Sequence, residues 1–177
     1  MKNSDSSTPG KKLGRGMWIA TWLAGLLLLT LFFAGQESRW LNPNKAPQYQ
    51  ITQTGAQEVI LERNNQGHYI FTGTINGNEA EFLVDTGATE VVVSGDLAKY
   101  YGLKRGQRGT AITANGNVSI YATRIEKLSI GNITLTQVPA SINPSMDNLI
   151  LLGMSALRQL ELSQRGDTLT LKYHPQL

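Results

Sequence analysis

An aspartate closes an apolar run at Phe82-Leu83-Val84-Asp85, and Thr86-Gly87-Ala88-Thr89 follows it. Three apolar residues drive the chain inward, and a carboxylate delivered there without a partner is costly, so its presence asks for a reason. Gly87 allows a sharp turn that would bring backbone N–H groups toward the carboxylate. Thr86 adds a hydroxyl able to lock the loop. A carboxylate held in this way can serve as a general acid or base. Asp-Thr-Gly also arises by chance as a strand-end aspartate in an ordinary turn, so the surrounding chain has to decide.

Competing chemistries find little support. The chain has no cysteine, which excludes disulfides, thiolate zinc sites and cysteine catalysis. His68 and His174 are isolated, without partners at metal-ligand spacing, so no metal site and no cofactor is expected. Gly153-Met154-Ser155-Ala156-Leu157 lacks the second glycine of a nucleophile elbow. No glycine-rich loop leads into Lys-Ser or Lys-Thr, as a phosphate cradle requires. The net charge of +3 comes from the N-terminus: Lys2, Lys11, Lys12 and Arg15 stand there against Asp5 alone. From Gln36 onward the 12 Lys/Arg and 12 Asp/Glu balance, so a nucleic-acid-binding face is not expected. Lys104, Arg105 and Arg108 read as a solvated loop.

The elements that must position Asp85 are strands. Val59–Leu61 and His68–Ile75 are strand-like, and Asn76-Gly77 marks a two-residue hairpin into Glu79–Val84. Val91–Val93 is a short buried strand, and Ser94 can cap a helix over Asp96–Tyr101 that Gly102 ends. Ala111–Tyr121 carries a second Asn-Gly pair at Asn115-Gly116. Gly131-Asn132 separates Arg124–Ile130 from Ile133–Ala140. Asn148–Leu152 is an apolar strand ending at Gly153, with a helical Met154–Gln159 behind it. Arg165-Gly166-Asp167 joins Leu160–Ser163 to Thr168–Tyr173. About seven or eight strands with only two short helices imply a closed β-barrel or sandwich. Connections of about a dozen residues supply no crossovers, so mostly antiparallel pairing is expected.

The first 57 residues read differently. Met17–Gly35 is 19 residues without a charge, about 28 Å long as a helix and close to a bilayer's hydrocarbon thickness. Trp18 and Trp22 lie near one end and Trp40 beyond the other, where interfacial aromatics are expected. A cleaved signal peptide also starts basic, but its apolar core is shorter, and Phe32 and Phe33 crowd the candidate cut at Ala34-Gly35. The expected organisation is a basic cytoplasmic tail (1–16), a transmembrane helix (17–35), a polar tether (36–57) and a folded domain (58–177).

Ile75–Thr89, the Asn115-Gly116 hairpin and Leu149-Ile150-Leu151-Leu152-Gly153-Met154 together resemble the retropepsin-like aspartic proteases in content, order and spacing. The resemblance covers about residues 58–173, and the anchored layout is similar to the family's bacterial, membrane-tethered branch. It implies an all-β fold: a small closed antiparallel β-barrel of the retropepsin (acid protease) type, with one or two short helices and a transmembrane helix in front. It implies that Asp85 is catalytic, that Thr86, Gly87 and Ala88 complete the active-site loop, and that Thr86 bonds across a dimer. The Thr110–Tyr121 hairpin would be a flap over the substrate, its tip formed by Thr113, Ala114, Asn115, Gly116 and Asn117. Thr89 stands where retroviral members often carry an acidic residue, which alters expected substrate contacts.

Hydrolysis of this kind needs two carboxylates, and each chain holds one Asp-Thr-Gly. A homodimer that apposes two copies of Asp85 is therefore expected, acting on a polypeptide substrate. The implied setting is the bacterial inner membrane, crossed once, with a cytoplasmic N-terminus and a periplasmic catalytic domain. The rival reading is a catalytically idle module of the same fold, used for dimeric binding or scaffolding on a membrane stalk.

Overall fold

The computed structural model describes residues 10–113 and 116–175. The chain divides into two compact units, Met1–Arg39 and Trp40–Leu177.

Helix α1 spans Gly10–Leu41, starting just after Pro9 and running beyond the apolar segment at both ends. Within it Gly16–Phe33 has a mean hydropathy of 1.9 and is fully exposed in the isolated chain. By length and composition this helix can cross a membrane, a property it shares with signal sequences.

The second unit is built almost wholly of strands. Strands β1 (Gln48–Ile51), β2 (Gln57–Glu62), β10 (Glu161–Arg165) and β11 (Thr168–Tyr173) form one sheet in the order β1-β2-β11-β10, all antiparallel. The larger sheet runs β3 (Ile70–Ile75), β4 (Asn78–Val84), β9 (Ile150–Leu152), β5 (Val91–Ser94), β8 (Ile133–Asn143), β7 (Gly116–Ile130), β6 (Arg108–Thr113). Thr74 and Ile75 of β3 pair back to Ser129 and Leu128 of β7, so the strand order closes into a ring. The fold is all-β with short helices, α2 (Gly95–Tyr100) and α3 (Met154–Leu157).

Pairing is mostly antiparallel, as expected, with two exceptions. β4 runs parallel to β9, and β5 runs parallel to β8. Short loops cannot make such pairs, but here the connections are other strands of the ring, far longer than a hairpin. The expected break near Tyr121 is also absent. β7 is one 15-residue strand, because Ala122 exchanges backbone bonds with Gly106 and Gln107 on one side and pairs with Ser141 on the other.

One buried cluster joins the ring to Val59, Leu61, Leu169 and Leu171 of the smaller sheet. Phe71 and Phe82, neighbours on β3 and β4, are fully buried and stack 5.1 Å apart. Gly73 keeps room beside them: a Cβ there would stand 2.3 Å from the Ser129 carbonyl oxygen. Ser94 caps α2 as expected, its side chain accepting from the Leu97 N–H.

The reading of residues 36–57 as a tether needs correction. Helix α1 continues through Leu41, and residues 42–51 are built into the domain. Polar composition suggested a solvated linker, but Asn42 and Asn44 are buried and hydrogen-bonded to the domain, while Gln48–Ile51 pairs with β2 as an exposed edge strand. The buried Asn44 donates its Nδ2 to the carbonyls of Glu62 (2.8 Å) and Ile70 (2.7 Å), while its Oδ1 accepts from the Glu62 N–H (2.7 Å). Its own backbone pairs with Phe71, the Thr72 N–H donating to the Asn44 carbonyl at 3.0 Å. Asn44 thereby joins the two sheets. Asn42 donates to Glu81 Oε2 (2.7 Å) and Thr72 Oγ1 (3.1 Å), and the Asn64 amide donates to the Leu41 carbonyl (2.9 Å). Asn44→Ala leaves part-buried backbone groups at Glu62 and Ile70 without this partner, at a cost of about 2 kcal/mol. The expected result is a lower urea midpoint for the detergent-solubilised chain with an unchanged slope.

Candidate active site

The local chemistry of Asp85 follows from where β4 ends. Phe82, Leu83 and Val84 pair in register with Ile150, Leu151 and Leu152 of β9. The Asp85 N–H extends this ladder by one bond, to the Leu152 carbonyl at 3.1 Å. The chain then turns: the Ala88 N–H reaches the Asp85 carbonyl (3.3 Å) and the Gly87 N–H donates to Asp85 Oδ1 (2.9 Å). The carboxylate is half-buried, with one oxygen held by backbone. A Cβ on residue 87 would sit 3.2 Å from that oxygen, so glycine keeps the approach open.

The apolar-Gly segment Leu151-Leu152-Gly153 thus lies directly beside the aspartate loop. Gly153 is required by space. Its φ of −92° suits any residue, but a Cβ there would meet the Glu90 carbonyl oxygen at 2.1 Å and that of Ala88 at 2.7 Å. The Met154 N–H donates to the Ala88 carbonyl at 2.8 Å, closing the loop against the start of α3.

Sequence reasoning missed Ser155, considered there only as a nucleophile and set aside. It is buried, accepts from the Val91 N–H at 3.0 Å and donates to the Pro139 carbonyl at 2.7 Å. It therefore ties β5, the strand leaving the aspartate loop, to β8 and α3. Only its place after Gly153-Met154 hinted at this.

Thr86 is exposed, and among the described residues its hydroxyl has no partner within the chain. No group of three or more His, Cys, Asp or Glu that could hold a metal gathers among the described residues. One carboxylate with a single anchored oxygen can give or take a proton, but it cannot act as base and acid in the same step.

The candidate flap is the β6–β7 hairpin. Arg108 to Thr113 pair with Tyr121 to Gly116, and Ile112 faces Asn117. The Thr113–Gly116 pairing makes Gly116, with φ of +105°, the residue that closes the hairpin, and Thr113 Oγ1 donates to its carbonyl at 2.8 Å. Ala114 and Asn115 lie outside the described residues. The hairpin is solvated along most of its length, and Ile112 is 88% exposed. At its base the Arg105 guanidinium lies 5.0 Å over the Tyr121 ring.

The chain is similar to known proteins over this region. The family described as "gag-polyprotein putative aspartyl protease" matches residues 71–159, a span that includes the aspartate loop, the hairpin and the Leu152-Gly153 strand end. An uncharacterised protein of a Sinorhizobium species is 36% identical over 124 residues, covering 67% of this chain and 53% of that protein. An uncharacterised protein of Rickettsia prowazekii is 26% identical over 111 residues, 61% of this chain and 48% of that one. The chain thus spans about half the length of these relatives. The crystal structure of a retropepsin-like aspartic protease from Rickettsia conorii superposes with a TM-score of 0.57 at 21% identity, covering 72% of this chain and 94% of that one. With the family match spanning half the chain and including the aspartate loop, the chain belongs to the retropepsin-like aspartic protease family.

Proposed function

We propose that this chain is a membrane-anchored aspartic endopeptidase whose active site forms when two copies appose their Asp85 side chains. The observation that carries it is the half-site itself: Asp85 at the strand end, Oδ1 held by the Gly87 N–H, and Thr86 exposed beside it. In the dimer one Asp85 carboxylate removes a proton from water as the water attacks the peptide carbonyl. The other, protonated, gives its proton to the carbonyl oxygen. Thr86 supplies a hydroxyl for the partner loop, and the β6–β7 hairpin, with Thr113, Gly116 and Asn117 near its tip, covers the substrate.

Helix α1 is the anchor in this reading. The basic residues Lys2, Lys11, Lys12 and Arg15 precede it, which favours a cytoplasmic N-terminus and a periplasmic domain on a bacterial inner membrane. Confinement to one bilayer raises the local concentration of the two chains, so their affinity in solution can be low.

The direct test is peptide hydrolysis by a soluble fragment over a concentration series. The fragment should begin at Trp40, because a later start removes Asn42 and Asn44 from between the sheets. Specific activity should rise with concentration through the monomer–dimer transition and then level off. Constant specific activity from a protein shown to be monomeric by sedimentation would exclude the shared site.

A further inference from the structure

The smaller sheet has two edges, and they differ. β1 is partly covered by the Gly131-Asn132 turn, where Asn132 Nδ2 donates to the Gln50 carbonyl at 3.3 Å. β10 stands open. It is last in the strand order, every one of its residues is exposed, and its outer backbone groups have no partner among the described residues. The hairpin decides which groups these are. The two-residue turn Gly166-Asp167 makes Arg165 and Thr168 the closing hydrogen-bonded pair, so Glu161, Ser163 and Arg165 bond to β11. The N–H and C=O of Leu162 and Gln164 therefore point outward.

An open edge is a template for another strand, and proteins often blunt it with lysine, whose charge repels a second copy. The charges on β10 do the reverse. In Glu161-Leu162-Ser163-Gln164-Arg165 an acid and a base flank Ser163 symmetrically. A second β10 laid antiparallel about a two-fold axis at Ser163 sets each Glu161 opposite the other copy's Arg165. Leu162 then faces Gln164, and these positions carry the outward backbone groups, so about four ladder hydrogen bonds form. Glu161 and Arg165 fall in the non-hydrogen-bonded pairs, where facing side chains are closest. Leu162, on the core face with Leu171 and 39% exposed, meets its own copy diagonally across the axis. Glu161 also pairs with His174 of its own chain at 3.0 Å, yet its side chain remains 67% exposed and able to meet a second partner.

This edge is tied to the aspartate loop. The Met154 N–H bonds to the Ala88 carbonyl, and helical bonds then continue to Leu160, a rise of about 10 Å, where β10 begins. We infer that a second copy of this chain docks on the β10 edge, joining the two smaller sheets into one through reciprocal Glu161–Arg165 pairs. This rests on the shared-site reading above and deepens it, by assigning the surface that brings the two half-sites together.

The chain contains no cysteine, so a single Ser163→Cys reports this one contact. In the full-length protein, reconstituted in phosphatidylcholine vesicles, copper–phenanthroline should link the introduced thiols. The Cα atoms of a non-hydrogen-bonded pair stand about 4.5 Å apart, within disulfide reach. Thr170→Cys, one strand further from the axis, places the two Cα atoms about 14 Å apart and should link at least about tenfold more slowly. On the Ser163→Cys background, Arg165→Glu alone or Glu161→Arg alone sets like charges opposite each other twice, and should slow linking about tenfold. Mixed together, each of these chains restores both opposite-charge pairs with the other. The mixed product, identified by mass, should form at close to the unreversed rate, and peptidase activity should fall and return in step. Circular dichroism of each variant verifies the fold. Equal linking at positions 163 and 170, or reversed chains that link as fast alone as mixed, would overturn the inference. Concentration-dependent peptidase activity in the same samples would leave the shared-site reading standing. Linking as expected in a chain that hydrolyses no peptide would support the interface and remove the protease reading.

Discussion

Chains carrying Asp85→Asn should fold and dimerise, yet hydrolyse peptide about 10³-fold more slowly than wild type or worse. Asparagine keeps the shape and can still accept from the Gly87 N–H, so the loop bond at 2.9 Å survives. What disappears is the ability to exchange a proton, and removing an acid–base group of this kind costs about 10²- to 10⁴-fold. Since each chain supplies one carboxylate, the loss should also be dominant. Wild-type chains mixed with excess Asp85→Asn chains become trapped in heterodimers that have one carboxylate, and activity should fall toward that of the mutant. Circular dichroism and sedimentation on the same samples verify the fold and the dimer. Full activity of Asp85→Asn would remove the assignment of Asp85 and leave the idle binding module as the better reading.

Gly153→Ala should be severe in a different way. The added methyl would lie 2.1 Å from the Glu90 carbonyl oxygen and 2.7 Å from that of Ala88, both backbone atoms that cannot swing aside. Relief requires β9 and the chain around residues 88–90 to separate, which disrupts the Met154–Ala88 bond and the Asp85–Leu152 bond that hold the loop. Overpacking against backbone of this kind costs about 3 kcal/mol. The expected outcome is a large drop in thermal midpoint, and loss of peptidase activity even at temperatures where the variant is still folded. Gly87→Ala makes a useful contrast. Its Cβ would be 3.2 Å from Asp85 Oδ1 and meets nothing else nearby, so activity should suffer more than stability. A Gly153→Ala protein with wild-type melting and wild-type activity would show that the strand end is not what positions the aspartate.

Much of the site is local in origin and was therefore readable along the chain. Phe82-Leu83-Val84 had to be buried, Gly87 had to permit the turn, and Asn76-Gly77, Gly131-Asn132 and Gly166-Asp167 had to reverse direction, because each depends on a few adjacent residues. The long uncharged stretch before residue 36 identified a helix able to span a bilayer for the same reason, since length and composition suffice. Other features depend on partners far away in sequence, and no local pattern encodes them. The parallel pairings of β4 with β9 and of β5 with β8 bring together segments separated by other strands of the ring, so periodicity within each segment could not reveal their direction. Ser155 looked like a failed nucleophile until its bonds to Val91 and Pro139 gave it a structural role. The error over residues 36–57 has the same cause. Asparagine, glutamine and proline in a short stretch describe a solvated linker equally well as a clamp, and only partners brought in by the tertiary fold, the side chains of Thr72 and Glu81 for Asn42 and the backbone of Glu62 and Ile70 for Asn44, turn the two into buried, bonded residues.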